Sequence, residues 1–230
     1  MSSSILILQN VSKIFHSGKE NAYTAIDDIS LEIQEKEFVS VVGRSGSGKS
    51  TLMYLMSGLT KTSEGNVYIK NKNIIEFSEK EMSEFRNYNM GFIFQNFYLD
   101  KTLTAFENVM LPLLICEKER KKREIRVKEL MDAVGLEKKM KNKVYELSGG
   151  EMQRVCIARA LVCNPDIIFA DEPTGNLDKS NGLQILELLK QMNQEGKTIV
   201  MVTHNENDIQ YCNHIIELED GRICKNEVRI

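Results

Sequence analysis

Residues Gly43-Arg44-Ser45-Gly46-Ser47-Gly48-Lys49-Ser50-Thr51 have the types and spacing to hold a chain of phosphates. The glycines let the backbone curl so that its N–H groups face inward. The helix expected from Lys49 to about Ser57 brings the positive end of its dipole to the same point. Lys49 can reach the terminal phosphates of a nucleoside triphosphate, and the Ser50 hydroxyl can hold Mg²⁺. The apolar run Phe38–Val42 reads as a strand. Strand, loop and helix therefore follow in the order that this chemistry needs. Alone, the loop fits kinases, GTPases, helicases and transport ATPases equally.

A second set of residues lies about a hundred positions later. Ser148 reads as a helix N-cap, and Gly149 and Gly150 leave the first N–H groups open to an anion. The helix is expected to run to about Val162. Ile167-Ile-Phe-Ala-Asp-Glu172 puts two carboxylates at the end of an apolar strand, where ligands of parallel α/β sheets lie. Asp171 is placed to hold Mg²⁺, and Glu172 to polarise an attacking water. A further apolar strand, Thr198–Thr203, ends in His204.

Together these stretches resemble the ABC ATPases. Leu147-Ser-Gly-Gly-Glu151 is similar to the signature motif, and Ile167–Glu172 to the Walker B strand with its catalytic glutamate. Gln95 resembles the Q-loop glutamine, Asn176-Leu-Asp178 the D-loop, and His204 the switch histidine. Phe15 stands where the family places an aromatic that stacks on adenine, with Tyr23 as its rival. Residues 92–99, 103–109, 111–113 and 171–178 resemble the macrolide, lipoprotein and antimicrobial-peptide exporter branch, which also includes ATPases serving a cell-division complex. Arg44 replaces a usual proline, Lys36 a usual glycine, Phe15 a usual tyrosine, and Tyr145 a small or proline-flanked position.

The resemblance implies a RecA-like P-loop NTPase α/β core, an N-terminal antiparallel β portion and an inserted α-helical subdomain. The core would comprise residues 1–87 and 164–230, and the subdomain residues 88–163. ATP would be held by Phe15, residues 43–51, Gln95 and, across a dimer, Ser148, Gly149, Gly150 and Asp178. Mg²⁺ would be held by Ser50, Gln95 and Asp171. Lys49, Glu172 and His204 would carry hydrolysis. Two copies would sandwich two ATP molecules, and a permease would dock on the helical insertion. The implied role is to power export of peptides, lipids or drugs. The alternative is mechanical work on cell-wall enzymes through a membrane subunit. A soluble role in DNA repair or translation lacks its coiled-coil insertion and tandem cassette.

Composition narrows the classes further. The chain has 230 residues and a formal net charge of −3, so a general basic footprint for nucleic acid is missing. The apolar stretch Val109–Cys116 is broken by Pro112 and far short of the about 20 residues that a spanning helix needs. Residues 2–8 lack the basic flank of a signal peptide. The expectation is a cytoplasmic protein, held at the inner membrane face by its partner. The basic run 118–126 reads as a solvated helix face. The five cysteines show no C-x-x-C pair, and reduced, mostly buried thiols are expected. Cys156 and Cys163 are expected on one helix.

The elements that position these residues are legible in part. Ile5–Gln9, Ser30–Ile33 and Val67–Ile69 read as strands, and the stretch from Tyr88 to about Val162 mainly as helices. Within it, residues 117–134 read as a surface helix closed by Gly135. After Pro165 strands and helices alternate, with a helix over Leu183–Met192, as in a parallel sheet. Residues 214–223 read as a hairpin turning at Asp220-Gly221. His16 and His214 read as packing residues.

Overall fold

The first sheet grows from two twelve-residue strands, β1 (Ser4–Phe15) and β2 (Tyr23–Gln34). Along β2, Ile29, Leu31 and Ile33 are buried while Ser30 and Glu32 are exposed. That period of two gives one core face and one wet face. With β4 (Glu64–Ile69) and β5 (Lys72–Asn73) these strands form an antiparallel sheet in the order β2-β1-β4-β5. Both long strands exceed their expected spans.

The structure is a computed structural model that describes residues 3–117 and 119–229; Lys118, which opens the basic run, lies outside them. Chain contacts divide it into two units: residues up to Met82 together with those from Asn193 onward, and Ser83–Met192.

In the first unit, β3 (Phe38–Gly43) lies between β8 (Thr198–Val202) and β9 (His214–Glu219), parallel to both. Phe38–Val41 and all of β8 are buried, as expected for strands covered on both faces. The edge strand β10 (Arg222–Val228) returns antiparallel to β9. Asp220 and Gly221 both have positive φ (47° and 77°), which a two-residue type I′ turn requires. Helix α1 (Lys49–Met56) packs on β2, β3 and β8.

His214 is buried at the start of β9. Its Nδ1 lies 2.8 Å from Glu37 Oε2 and its Nε2 2.6 Å from Asn226 Oδ1. Burial opposes the charged imidazolium, but the bonds to Glu37 and Asn226 and the Glu37 charge outweigh it and raise its pKa.

The second unit holds the parallel pair β6 (Met90–Phe94) and β7 (Ile167–Asp171). Strand β6 interrupts the stretch expected to be mainly helical. Five apolar residues between helices carry no turn signal that separates strand from helix, and pairing with β7 decides the matter. Helix α6 (Gly149–Leu161) packs on β6, α3 (Ala105–Met110) and α5 (Arg120–Ala133). Pro112 caps the short α4 (Leu113–Cys116), so residues 109–116 form two short helical pieces. Helix α5 starts later than expected, because Glu117 closes α4 and Glu119 caps α5; Gly135 follows it at φ 70°. Cys163 lies beyond the end of α6, which corrects the placement of Cys156 and Cys163 on one helix. The remaining helices are α2 (Glu79–Asn89), α7 (Lys179–Gln194) and α8 (Glu206–Ile209). Among the described residues no helix is long and apolar enough to cross a membrane.

Candidate functional site

The phosphate loop joins β3 to α1, and its two outer glycines are fixed by what surrounds them. A Cβ on Gly43 would lie 2.3 Å from the Leu218 carbonyl oxygen, and one on Gly48 would lie 2.6 Å from that of Ala25. Both residues also have positive φ, 145° and 101°. Only glycine meets both demands. The turn of the β9–β10 hairpin supports the loop from outside, where Gly221 N donates to Ser47 O at 3.1 Å. Arg44, Ser45 and Gly46 form the exposed crest; Ser50 and Thr51 are half-buried in the first turn of α1.

Lys49 departs from the exposed position that its role suggests. It is only 8% exposed. Its Nζ donates to the carbonyl oxygens of Gly43 and Arg44, both at 2.9 Å. The ammonium therefore closes the loop on itself. Ser47 Oγ is buried beneath the loop without a hydrogen-bond partner among the described residues. Gly43, Arg44 and Ser45 line a cleft of about 820 Å³ together with His204, Glu217 and Arg229. The structure thus brings His204 to the same cleft as the crest of the loop.

Phe15 and Tyr23 are register partners at the end of the β1–β2 pair that residues 16–22 connect. Their rings stack at 5.3 Å with an interplanar angle of 24°, and Lys13 Nζ lies 5.1 Å from the Phe15 centroid. Tyr23 is 54% exposed. The two rival aromatics form one platform.

In the second unit, Asp171 ends β7 and Glu172 turns the chain sharply with φ 46°. A left-handed conformation strains a non-glycine residue and is characteristic of functional corners. The Glu172 carbonyl accepts from Gly175 N at 3.0 Å. Gln95 directly follows β6, and its carbonyl accepts from Asn176 Nδ2 at 2.8 Å. The Gln95 amide and the Glu172 carboxylate both crowd Gly175, 2.8 and 3.3 Å from where its Cβ would stand. The structure therefore brings Gln95 and Glu172 to one spot.

Ser148 caps α6 through a reciprocal box. Glu151 N donates to Ser148 Oγ at 3.3 Å, and Ser148 N donates to Glu151 Oε2 at 2.9 Å. The bond from Ser148 N is the main cause that holds the Glu151 carboxyl below its ordinary range, assisted by Lys139 at 3.2 Å. Gly150 packs against Asn181, whose Oδ1 would be 2.3 Å from a Cβ there; Gly149 faces Leu177. Asn181 is in turn held by Asp178, donating from N and Nδ2 at 2.9 and 2.6 Å. These bonds and one from Ser180 lower the Asp178 pKa to about 2. Gln153, which the sequence reading passed over, is buried and donates to Pro173 O at 2.7 Å. No local signal marks it, because its acceptor lies twenty residues away along the chain.

The candidates fall into two sets. Residues 43–51, Phe15 and His204 belong to the first unit; Gln95, Asp171, Glu172, residues 148–150 and Asp178 belong to the second. The family model described as ABC transporter matches residues 26–175. The lipoprotein-releasing system ATP-binding protein LolD of Aquifex aeolicus is 42% identical over 98% of this chain and 99% of its own length. The macrolide export ATP-binding/permease protein MacB of Mannheimia succiniciproducens is 44% identical over 95% of this chain but only 34% of its own length. A solved dimer of the ATP-binding cassette MJ0796 in a post-hydrolysis state, bound to ADP and Pi, superposes with a TM-score of 0.89. It is 42% identical and covers 97% of this chain and 98% of that one. Identity of this depth across nearly the whole chain, together with the family model, shows that the protein belongs to the ABC transporter ATP-binding family as an ABC-type ATPase of the macrolide and lipoprotein exporter branch.

Proposed function

We propose that this chain is the ATP-hydrolysing subunit of a membrane exporter for peptides, lipids or drugs, and that it works as a pair of copies with ATP between them. The observation that carries the reading is the phosphate loop, with Gly43 and Gly48 hemmed in by carbonyl oxygens and Lys49 beneath it. The relatives supply the context. MacB is named as both ATP-binding protein and permease, and the chain spans about a third of it. LolD, of the same length as this chain, is named as the ATP-binding protein of a lipoprotein-releasing system. The membrane-spanning partner would be a permease subunit. Leu111, Leu114 and Ile115, all exposed around α4, offer it an apolar face. The protein would then act at the cytoplasmic face of the membrane.

The backbone N–H groups of residues 43–48, Lys49 and the start of α1 would hold the β- and γ-phosphates. Phe15 and Tyr23 would hold the adenine. Ser148, Gly149 and Gly150 of a second copy would close on the γ-phosphate, with Asp178 beside that interface. A water attacks the γ-phosphorus in line, the bond to the β–γ bridging oxygen breaks, and ADP leaves with that electron pair. Glu172 orients the water and accepts its proton, and His204 steadies the γ-phosphate. Lys49 stabilises charge on the transferring group. Ser50, Gln95 and Asp171 would hold Mg²⁺, since hydroxyl, amide and carboxylate oxygens form a hard donor set. When bound, Mg²⁺ neutralises charge on the β- and γ-phosphates.

Lys49→Ala tests the reading. ATP binding by calorimetry should weaken strongly, and phosphate release should vanish. The variant should also lose some stability, because two loop carbonyls lose their donor. Normal turnover in the variant would overturn the assignment.

A further inference from the structure

Helix α6, which opens with Ser148 as its cap, carries Arg159 about three turns further on. The guanidinium donates from Nη1 to Tyr98 O at 2.6 Å and from Nη2 to Phe97 O at 2.8 Å. Cys156, one turn earlier, also donates to Phe97 O, at 3.2 Å. These carbonyls lie two and three residues after Gln95. Tyr98 has φ 48°, which a bulky L-residue adopts only where its surroundings hold it there. Tyr98 is 68% exposed as a residue, and its ring meets Phe94 edge-on at 5.4 Å. Ring packing therefore restrains little of it, and the restraint must come through the backbone. A guanidinium presents two parallel N–H donors in a fixed plane, which suits two successive carbonyls; a single ammonium nitrogen does not. One turn and a half before Arg159, Gln153 holds Pro173 O, the residue after Glu172. The same helix thus grips the chain just after Gln95 and just after Glu172, while Asn176 ties Gln95 O to the second of these segments.

We propose that Arg159 is a positioning residue for Gln95: its fork locks the strained Phe97–Tyr98 turn, so that the signature helix and the glutamine loop shift as one body. Arg159 would act through the Phe97 and Tyr98 carbonyls rather than on the reacting atoms. Its effect on turnover rests on the ATPase role of Gln95 proposed above, whereas the clamp itself does not.

The test uses the full chain with Arg159→Gln and Arg159→Lys. Hydrogen exchange without nucleotide reads the clamp, thermal unfolding reads the fold, and steady-state kinetics reads kcat against KM. In Arg159→Gln, amides of residues 96–99 should exchange about tenfold faster or more, while those of β3 and β8 keep their protection. The kcat should fall about tenfold with KM within about twofold, because ATP is still bound while Gln95 is misplaced. Arg159→Lys should recover part of both effects. Unchanged exchange at 96–99 would overturn the proposal. So would faster exchange spread over the whole chain with kcat and KM affected alike and no recovery by lysine, since Arg159 would then only support the fold. If Arg159→Gln does not fold, Arg159→Lys decides by the same exchange measurement. If the parent chain shows no ATPase activity, the functional reading fails alone, and exchange still decides the clamp.

Discussion

Replacing Lys36 by glycine should stabilise this protein. Lys36 stands in the turn before β3 with φ 68°. Its N–H donates to Thr198 Oγ1 at 2.9 Å, and its carbonyl accepts from Asn193 Nδ2 at 2.8 Å. The turn is thus pinned from both sides and cannot relax toward negative φ. A left-handed conformation costs an L-residue roughly 1–2 kcal/mol. Glycine escapes that cost but loses roughly 0.5–1 kcal/mol more chain entropy on folding. The Lys36 side chain is exposed, so its removal forfeits little packing. At the midpoints of these ranges the net gain is about 0.75 kcal/mol, which for a chain of this size raises Tm by roughly 1.5–3 °C. Differential scanning calorimetry on Lys36→Gly and Lys36→Ala is the assay. Alanine keeps the Cβ and the strain, so it should give no gain. The reasoning fails if glycine gives no rise in Tm, or if alanine matches it.

Two further outcomes follow from the same geometry. His214 has a raised folded-state pKa, so its contribution is fully present below the unfolded pKa of about 6.5 and is lost as pH rises through the folded value. Urea unfolding should therefore show less stability at about pH 8 than at about pH 6, and His214→Gln should remove this component; identical pH profiles for both proteins would contradict it. Phe15→Ala and Tyr23→Ala should each raise the KM for ATP and leave kcat less affected, because the stacked pair would meet the adenine, remote from the γ-phosphate. A change confined to one of them would mean that the adenine uses a single ring.

Much of the site was legible because its chemistry is local. The phosphate loop needs glycines at fixed offsets, the carboxylates Asp171 and Glu172 close an apolar strand, and Asp220-Gly221 can only turn. What stayed hidden depends on partners distant in sequence. Strand β6 is defined by its pairing with β7, which five apolar residues do not announce. The burial of Lys49 follows from loop carbonyls that turn toward it. The departure at Lys36 was visible, but its reason lies in a dihedral angle. Gln153 and Arg159 looked like ordinary helix residues, and only their acceptors at Pro173, Phe97 and Tyr98 reveal what they hold.

In the proposed cycle two copies close on ATP and reopen on hydrolysis. The most direct measurement is light scattering on purified Glu172→Gln, with and without ATP and Mg²⁺. The amide keeps the shape of the side chain but cannot accept the water's proton. In the proposed dimer, Lys49, Ser50 and the second copy's signature residues would keep their contacts, so binding would favour closure while release is blocked. The account predicts a monomer without nucleotide and a dimer at saturating ATP, with Ser148→Arg in the same chain abolishing that dimer. A Glu172→Gln protein that binds ATP yet remains monomeric would contradict it.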